Sequence, residues 1–134
     1  MGYVVTFKIM LVDDNRTFVA AVRQFLDMLP GTLVVGQMHN GLDALAQIIR
    51  LEPDLVLLDI AMPGLNGFDV AKSLQALPNP PYVVILSMHD SSAYRDAARD
   101  MGAAAYVTKA DFVVDLIPII DRLIASKSGQ GAVC

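Results

Sequence analysis

Four short apolar runs in this chain each stop abruptly at a polar residue, and this feature limits the fold more than any other. Phe7–Val12 stops at Asp13-Asp14-Asn15, Leu55–Leu58 at Asp59 and Tyr82–Leu86 at Ser87, while Ala104–Val107 leads to Lys109. A fifth, shorter run covers Leu33–Val35. Runs of this length rich in Val, Ile and Leu read as strands, and the central ones are apolar on both faces, as in a parallel sheet covered on each side. Helix-period segments fill the gaps. Phe18, Val19, Val22, Phe25, Leu26 and Leu29 follow the first run at helical spacing. Strands alternating with helices predict an α/β domain with a five-stranded parallel sheet and right-handed crossovers.

Punctuation supports this division. Pro30-Gly31 stops the first helix, and Asn40-Gly41 opens a second over Leu42, Leu45, Ala46, Ile48 and Ile49, closed before Pro53. Met62-Pro63-Gly64 turns the chain into a third helix over Phe68, Val70, Ala71 and Leu74, and Pro78-Asn79-Pro80-Pro81 is a rigid connector. Asp90-Ser91-Ser92 caps a fourth helix that Gly102 stops, and a fifth is expected over Phe112–Ile124. Pro118 falls inside that fifth pattern, where a missing N–H should kink or delay the helix. Residues 1–126 then form one domain, and 127–134 read as a C-terminal tail or truncated linker.

Composition narrows the function. In 134 residues, 54% are hydrophobic and the net charge is −4. That is enough apolar material for a core, which excludes a disordered chain. No apolar run reaches the ~20 residues of a membrane span, so no membrane association is expected. The acidity argues against direct nucleic-acid binding by this chain, which calls for a basic patch. The lone cysteine, Cys134, permits neither an intrachain disulfide nor a zinc cluster, and no signal peptide is legible. Met1-Gly2 with Thr6 formally fits a loose myristoylation pattern, although the segment reads better as the approach to the first strand. A cytoplasmic chain is expected.

In an open parallel sheet, functional groups gather at the carboxyl ends of the strands beside the topological switch point. With strand order 2-1-3-4-5, strands one and three are neighbours, so Asp13, Asp14 and Asp59 crowd one edge with Ser87 and Lys109 nearby. Three close carboxylates repel one another, which raises a pKa or demands a cation. A hard divalent ion such as Mg²⁺ takes one or two carboxylates, keeps waters and bridges to phosphate oxygens. One aspartate stays free as a nucleophile, while Lys109 and Ser87 can bind phosphoryl oxygens. Taken singly, each residue has an ordinary structural role: Asp13-Asp14 as a helix cap, Asp59 as a turn residue, Ser87 as a cap and Lys109 as a surface cation. The set at four strand ends points to phosphoryl transfer.

The chain resembles the receiver domain of bacterial two-component response regulators. The likeness rests on Leu-Val-Asp-Asp at 11–14, Leu-Leu-Asp-Ile-Ala-Met-Pro-Gly-Leu-Asn-Gly at 57–67, Ser87, and Gly-Ala-Ala-Ala-Tyr-Val-Thr-Lys at 102–109, and covers roughly residues 7–125. Val34-Val35-Gly36 and Ser87-Met88-His89-Asp90 are most similar to receivers that precede a LuxR-type DNA-binding domain. The resemblance implies a flavodoxin-like (βα)5 fold with helices on both faces. It implies Asp59 as phosphoacceptor, and a Mg²⁺ site (Mn²⁺ substituting) of Asp14 directly, Asp13 through water, Asp59, and the carbonyl of Ala61. It implies Ser87 as the switch hydroxyl, Tyr106 as the aromatic that turns inward with it, and Lys109 as the site's cation. It further implies a sensor histidine kinase or histidine phosphotransfer protein as donor, and an output domain outside this chain or another partner read by the helix 4–strand 5–helix 5 surface. Two positions depart from the pattern. Ala110 stands where proline often follows the lysine in a cis bond, and before alanine that bond costs ~3 kcal/mol more than trans. Met88 is bulky where a small residue usually follows the hydroxyl, so Met88 and His89 bear on access to the phosphate site.

Two other classes fit the sequence less well. A haloacid-dehalogenase-type hydrolase also uses an aspartate after an apolar strand but needs a second Asp two residues on, where this chain has Ala61. A pseudo-receiver with a dead site conflicts with the presence of all five site residues. The domain is expected to switch rather than turn over substrate, with self-phosphorylation and slow autodephosphorylation. His39 reads as a solvated loop residue, and neither it nor His89 has the spacing of a transition-metal ligand. On the fifth helix, Leu116, Ile120, Leu123 and Ile124 suffice to cover the sheet, leaving Ile117 and Ile119 as an expected interface for a homodimer or a docked output domain.

Overall fold

Each helix starts with its own polar cap, and these caps settle which residues are left for the strand ends. The computed structural model describes residues 6–62, 64 and 66–131. The Met1-Gly2 segment, Pro63 and Cys134 lie outside them. The chain runs β1 (Phe7–Val12), α1 (Arg16–Asp27), β2 (Thr32–Met38), α2 (Gly41–Leu51), β3 (Leu55–Asp59), α3 (Gly67–Gln75), β4 (Tyr82–Ser87), α4 (Ser92–Asp100), β5 (Ala105–Thr108), a 3₁₀ turn over Lys109–Asp111, and α5 (Phe112–Gly131). Asn15, Asn40, Asn66 and Ser91 cap α1 to α4, each accepting from the backbone N–H three residues on. A cap of this kind is worth ~1 kcal/mol. Because Asn15 and Ser91 cap their helices, Asp13, Asp14 and Ser87 are not needed there.

The five strands form one parallel sheet in the order β2-β1-β3-β4-β5, as expected. Its two faces alternate along each strand. Ile9, Leu11, Leu55, Leu57, Val84 and Leu86 face α1 and α5, where Val19, Val22, Leu26, Leu116, Ile120 and Leu123 cover them. Met10, Val12, Val56, Leu58, Val83 and Ile85 face α2, α3 and α4, which contribute Ala44, Ile48, Val70, Ala71, Leu74 and Ala98. Fully burying one such aliphatic side chain stabilises the fold by ~1.5–3 kcal/mol.

Three expectations need correction. β2 runs from Thr32 to Met38 rather than stopping at Val35, because Gly36, Gln37 and Met38 continue the ladder with Met10, Leu11 and Val12 after a register shift at Val35. The fifth helix does not end at Ile124, and residues 127–131 are helix rather than tail. Lys127, on this extension, makes an ion pair with Asp54. Asp54 also accepts from the Lys8 N–H at 2.7 Å, so the helix end is fastened to the start of the sheet. The helix continues through Pro118, preceded by the 3₁₀ turn, and the Val114 carbonyl loses only the one N–H that proline lacks. Finally, Ile119 packs half-buried against the core, so it belongs to the sheet-facing side of α5. Among the described residues, the large exposed apolar side chains of α5 are Val113, Val114 and Ile117.

Candidate functional site

The strand register sets the site. Val12 lies opposite Leu58, Asp59 opposite Leu86, and Ser87 opposite Thr108. Asp13, Asp59, Ser87 and Lys109 therefore leave one edge of the sheet at nearly one level, and all four are buried. Asp14 is exposed at the rim. One carboxylate oxygen from each of Asp13, Asp14 and Asp59 lies within 4.8 Å of the others. Lys109 Nζ is 2.7 Å from Asp13 Oδ2 and 3.5 Å from Asp59 Oδ1. The Phe18 ring lies on the lysine's other side, with Nζ 4.7 Å from its centroid. Edge-to-face contacts of Phe112 with Phe18 at 5.4 Å and Phe25 at 5.5 Å hold that wall.

The turn after Asp59 is tightly built. The Gly67 N–H donates to the Ile60 carbonyl at 2.9 Å, and a Cβ at position 67 would stand 2.1 Å from the Asp59 carbonyl oxygen. Only glycine fits there. The Ala61 backbone N–H favours the charged form of the Asp59 carboxylate.

Burial pushes the Asp59 carboxyl up to about 6, and the neighbouring Asp13 charge adds to the rise, while Lys109 and the Ala61 N–H oppose it. Three carboxylates against one ammonium leave two negative charges in a partly buried site. Asp13 Oδ1 accepts from the Asn15 N–H at 2.9 Å. Asp13 Oδ2 is buried, with the Lys109 ammonium at 2.7 Å as its partner. Three hard carboxylate oxygens within 4.8 Å of one another and an excess of negative charge fit Mg²⁺ or Mn²⁺.

The other expected residues lie around this cluster. Ser87 Oγ accepts from the His89 N–H at 3.1 Å. The Tyr106 hydroxyl donates to the His89 carbonyl at 2.5 Å, and its half-buried ring lies 4.8 Å from the Arg95 guanidinium carbon. Ser87 and Tyr106 thus grip the same residue of the β4–α4 turn. Met88 is 73% exposed, and the His89 ring sits 6.5 Å from Tyr94. Among the described residues all peptide bonds are trans, including Lys109–Ala110. A separate cleft of about 720 Å³, lined in part by Ile49, Glu52, Pro81 and Lys127, opens at the opposite end of the strands.

Two neighbours of the site escaped the sequence reading. Phe18 was legible only as a core position of the first helix. His39 is not a solvated loop residue: it is half-buried, with Nδ1 3.0 Å from the Asp13 carbonyl. Nothing in its sequence context signals that contact, because it joins residues 26 positions apart.

An acidic cluster with a lysine at the switch point of a 2-1-3-4-5 sheet defines a receiver domain. The response regulator receiver domain family matches residues 9–120, and the chain belongs to it. It is 35% identical over 103 residues to the nitrate/nitrite response regulator protein NarP of Escherichia coli, covering 77% of this chain and 48% of NarP. A LuxR-family two-component response regulator from Aurantimonas superposes with a TM-score of 0.84 at 29% identity, over 90% of this chain and 86% of that one. A signal receiver domain from Mycobacterium tuberculosis gives 0.81 at 29% identity, over 92% and 98%. The chain spans about half the length of the curated relatives it matches. Among the described residues, no helix is long and apolar enough to cross a membrane.

Proposed function

We propose that the chain is a phosphorylation-dependent switch in which Asp59 accepts a phosphoryl group from a phosphohistidine. The packing of Asp13, Asp14 and Asp59 within 4.8 Å, with Lys109 against two of them, carries this reading. A carboxylate oxygen of Asp59 attacks phosphorus, the P–N bond to the donor imidazole breaks, that imidazole leaves and is protonated, and Asp59 becomes an acyl phosphate. With a pKa of about 6, Asp59 is ionised at pH 7.5 and ready to attack. Asp13, Asp14, Asp59 and the Ala61 carbonyl would hold Mg²⁺ or Mn²⁺, which supplies the positive charge that lets an anionic phosphoryl group approach carboxylates. Lys109 shifts its charge toward the arriving oxygens. Ser87 donates its hydroxyl to one of them and gives up His89.

That exchange supports a route outward. Once Ser87 releases His89, the Tyr106 latch on the same residue loosens, and the β4–α4 turn with the α4–β5–α5 surface rearranges. Met88 and His89 flank the entrance. A sensor histidine kinase or phosphotransfer protein is the donor, and a DNA-binding output domain of the LuxR type is the partner that reads the change. The exposed apolar Val113, Val114 and Ile117 favour a homodimer through α5. The chain is a phosphoacceptor with slow self-hydrolysis rather than a turnover enzyme. A donor charged from ATP puts this exchange in the cytoplasm.

Incubation with acetyl phosphate and Mg²⁺ tests the reading by intact mass. A single phosphoryl increment is expected for the wild type, lost in Asp59→Asn and on chelation of the metal. Full labelling of Asp59→Asn would contradict it.

A further inference from the structure

We propose that His39 is a positioning residue of the metal site, holding the Asp13–Asp14 peptide so that both carboxylates face one cation. The proposal rests on the phosphoacceptor reading of that site. Met38, which ends β2, and His39, which follows it, grip the main chain of Asp13 from both ends. The Asp13 N–H donates to the Met38 carbonyl at 3.0 Å, and the Asp13 carbonyl lies 3.0 Å from His39 Nδ1. Since a carbonyl only accepts, Nδ1 carries the proton and donates. The Asp13 carbonyl belongs to the peptide plane that joins Asp13 to Asp14, so this bond sets the rotation of that plane.

The plane matters for both acids. Asp13 is fixed on its own account, with Oδ1 on the Asn15 N–H and Oδ2 against the Lys109 ammonium at 2.7 Å. Asp14 is exposed and its carboxylate can rotate, so the fold places this ligand only through the peptide that carries its Cα. His39 is itself held. It is half-buried between Met38, the last residue of β2, and Asn40, whose side chain accepts from the Asp43 N–H at 2.8 Å as the cap of α2. The rigid strand and the helix cap thus transmit their position to the metal site through one imidazole N–H. Groups that orient ligands in this way commonly change metal affinity when removed.

Asparagine provides the discriminating variant. Its Nδ2 sits as many bonds from Cβ as Nδ1 of histidine, whereas the glutamine amide nitrogen is one bond further out. MgCl₂ titrations of the full chain, followed by amide NMR shifts, give the dissociation constants. His39→Ala and His39→Gln should weaken Mg²⁺ binding roughly three- to tenfold, the range of one hydrogen bond's net contribution, and His39→Asn should return to within about twofold of wild type. Thermal midpoints without metal separate this from general loosening, because a merely structural role would make affinity follow stability across all three variants. Wild-type affinity in His39→Ala, or binding by His39→Asn as weak as that of His39→Ala, overturns the proposal while leaving the site reading intact. A wild-type chain with no saturable Mg²⁺ response overturns the site reading and the proposal with it.

Discussion

Replacing Asp59 by asparagine removes one of three crowded carboxylates, and without divalent cation the fold should gain stability. The carboxyl is 4% exposed, and burial with repulsion from Asp13 moves it from 3.8 to about 6. An acid whose native pKa lies above its unfolded value holds an extra proton in the native state between those two pH values. Wild-type stability therefore falls as pH rises from about 4 to about 6, and above that window the full penalty is present. At about 1.4 kcal/mol per pH unit, the penalty is at most about 3 kcal/mol. Lys109 loses a partner at 3.5 Å in the variant but keeps Asp13 at 2.7 Å, so part of the gain is offset. Asp59→Asn should be more stable than wild type by ~1–3 kcal/mol at pH 7.5 in EDTA, with the difference closing toward pH 4. Urea unfolding at several pH values reads this directly. Saturating Mg²⁺ should narrow the gap, because it binds the native wild-type site preferentially. A variant less stable than wild type at pH 7.5, or a gap that does not change with pH, would refute the argument.

Other outcomes follow from the same geometry. Ser87→Ala should still take a phosphoryl group on Asp59, yet the amide shifts of the β4–α4 turn on phosphorylation should shrink; shifts equal to those of wild type would separate Ser87 from the switch. Gly67→Ala places a methyl group 2.1 Å from the Asp59 carbonyl oxygen and should cost ~1–3 kcal/mol or more in unfolding experiments. Ile117→Lys, alone or with Val114→Lys, should leave folding and labelling intact while weakening self-association. Sedimentation equilibrium showing a wild-type monomer at every concentration, with and without a phosphoryl mimic, would dispose of the homodimer.

The sheet was legible because its strands are continuous apolar runs between helix-period segments, a pattern set by burial on both faces. The candidate site was legible because its residues end those runs, and Asn15 and Ser91 show why: the caps lie further along, so the strand-end acids and hydroxyl are not spent on capping α1 and α4. What the sequence concealed depends on distant contacts. Residues 127–131 read as a tail, yet they continue α5, and Lys127 ties that stretch to Asp54. Gly36 looks like the end of a strand until Met10 is found paired with it across a register shift. His39 and Ile119 were misread for the same reason, since a half-buried side chain is defined by what covers it from another element.

The most direct test of the central claim is chemical mapping of the phosphoryl group. After labelling with acetyl phosphate and Mg²⁺, borohydride reduction turns an acyl phosphate into an alcohol, and peptide mass mapping locates it. The account predicts homoserine at position 59 and unaltered aspartates at 13 and 14. Reduction at Asp13 or Asp14, or a label that resists borohydride, would contradict it.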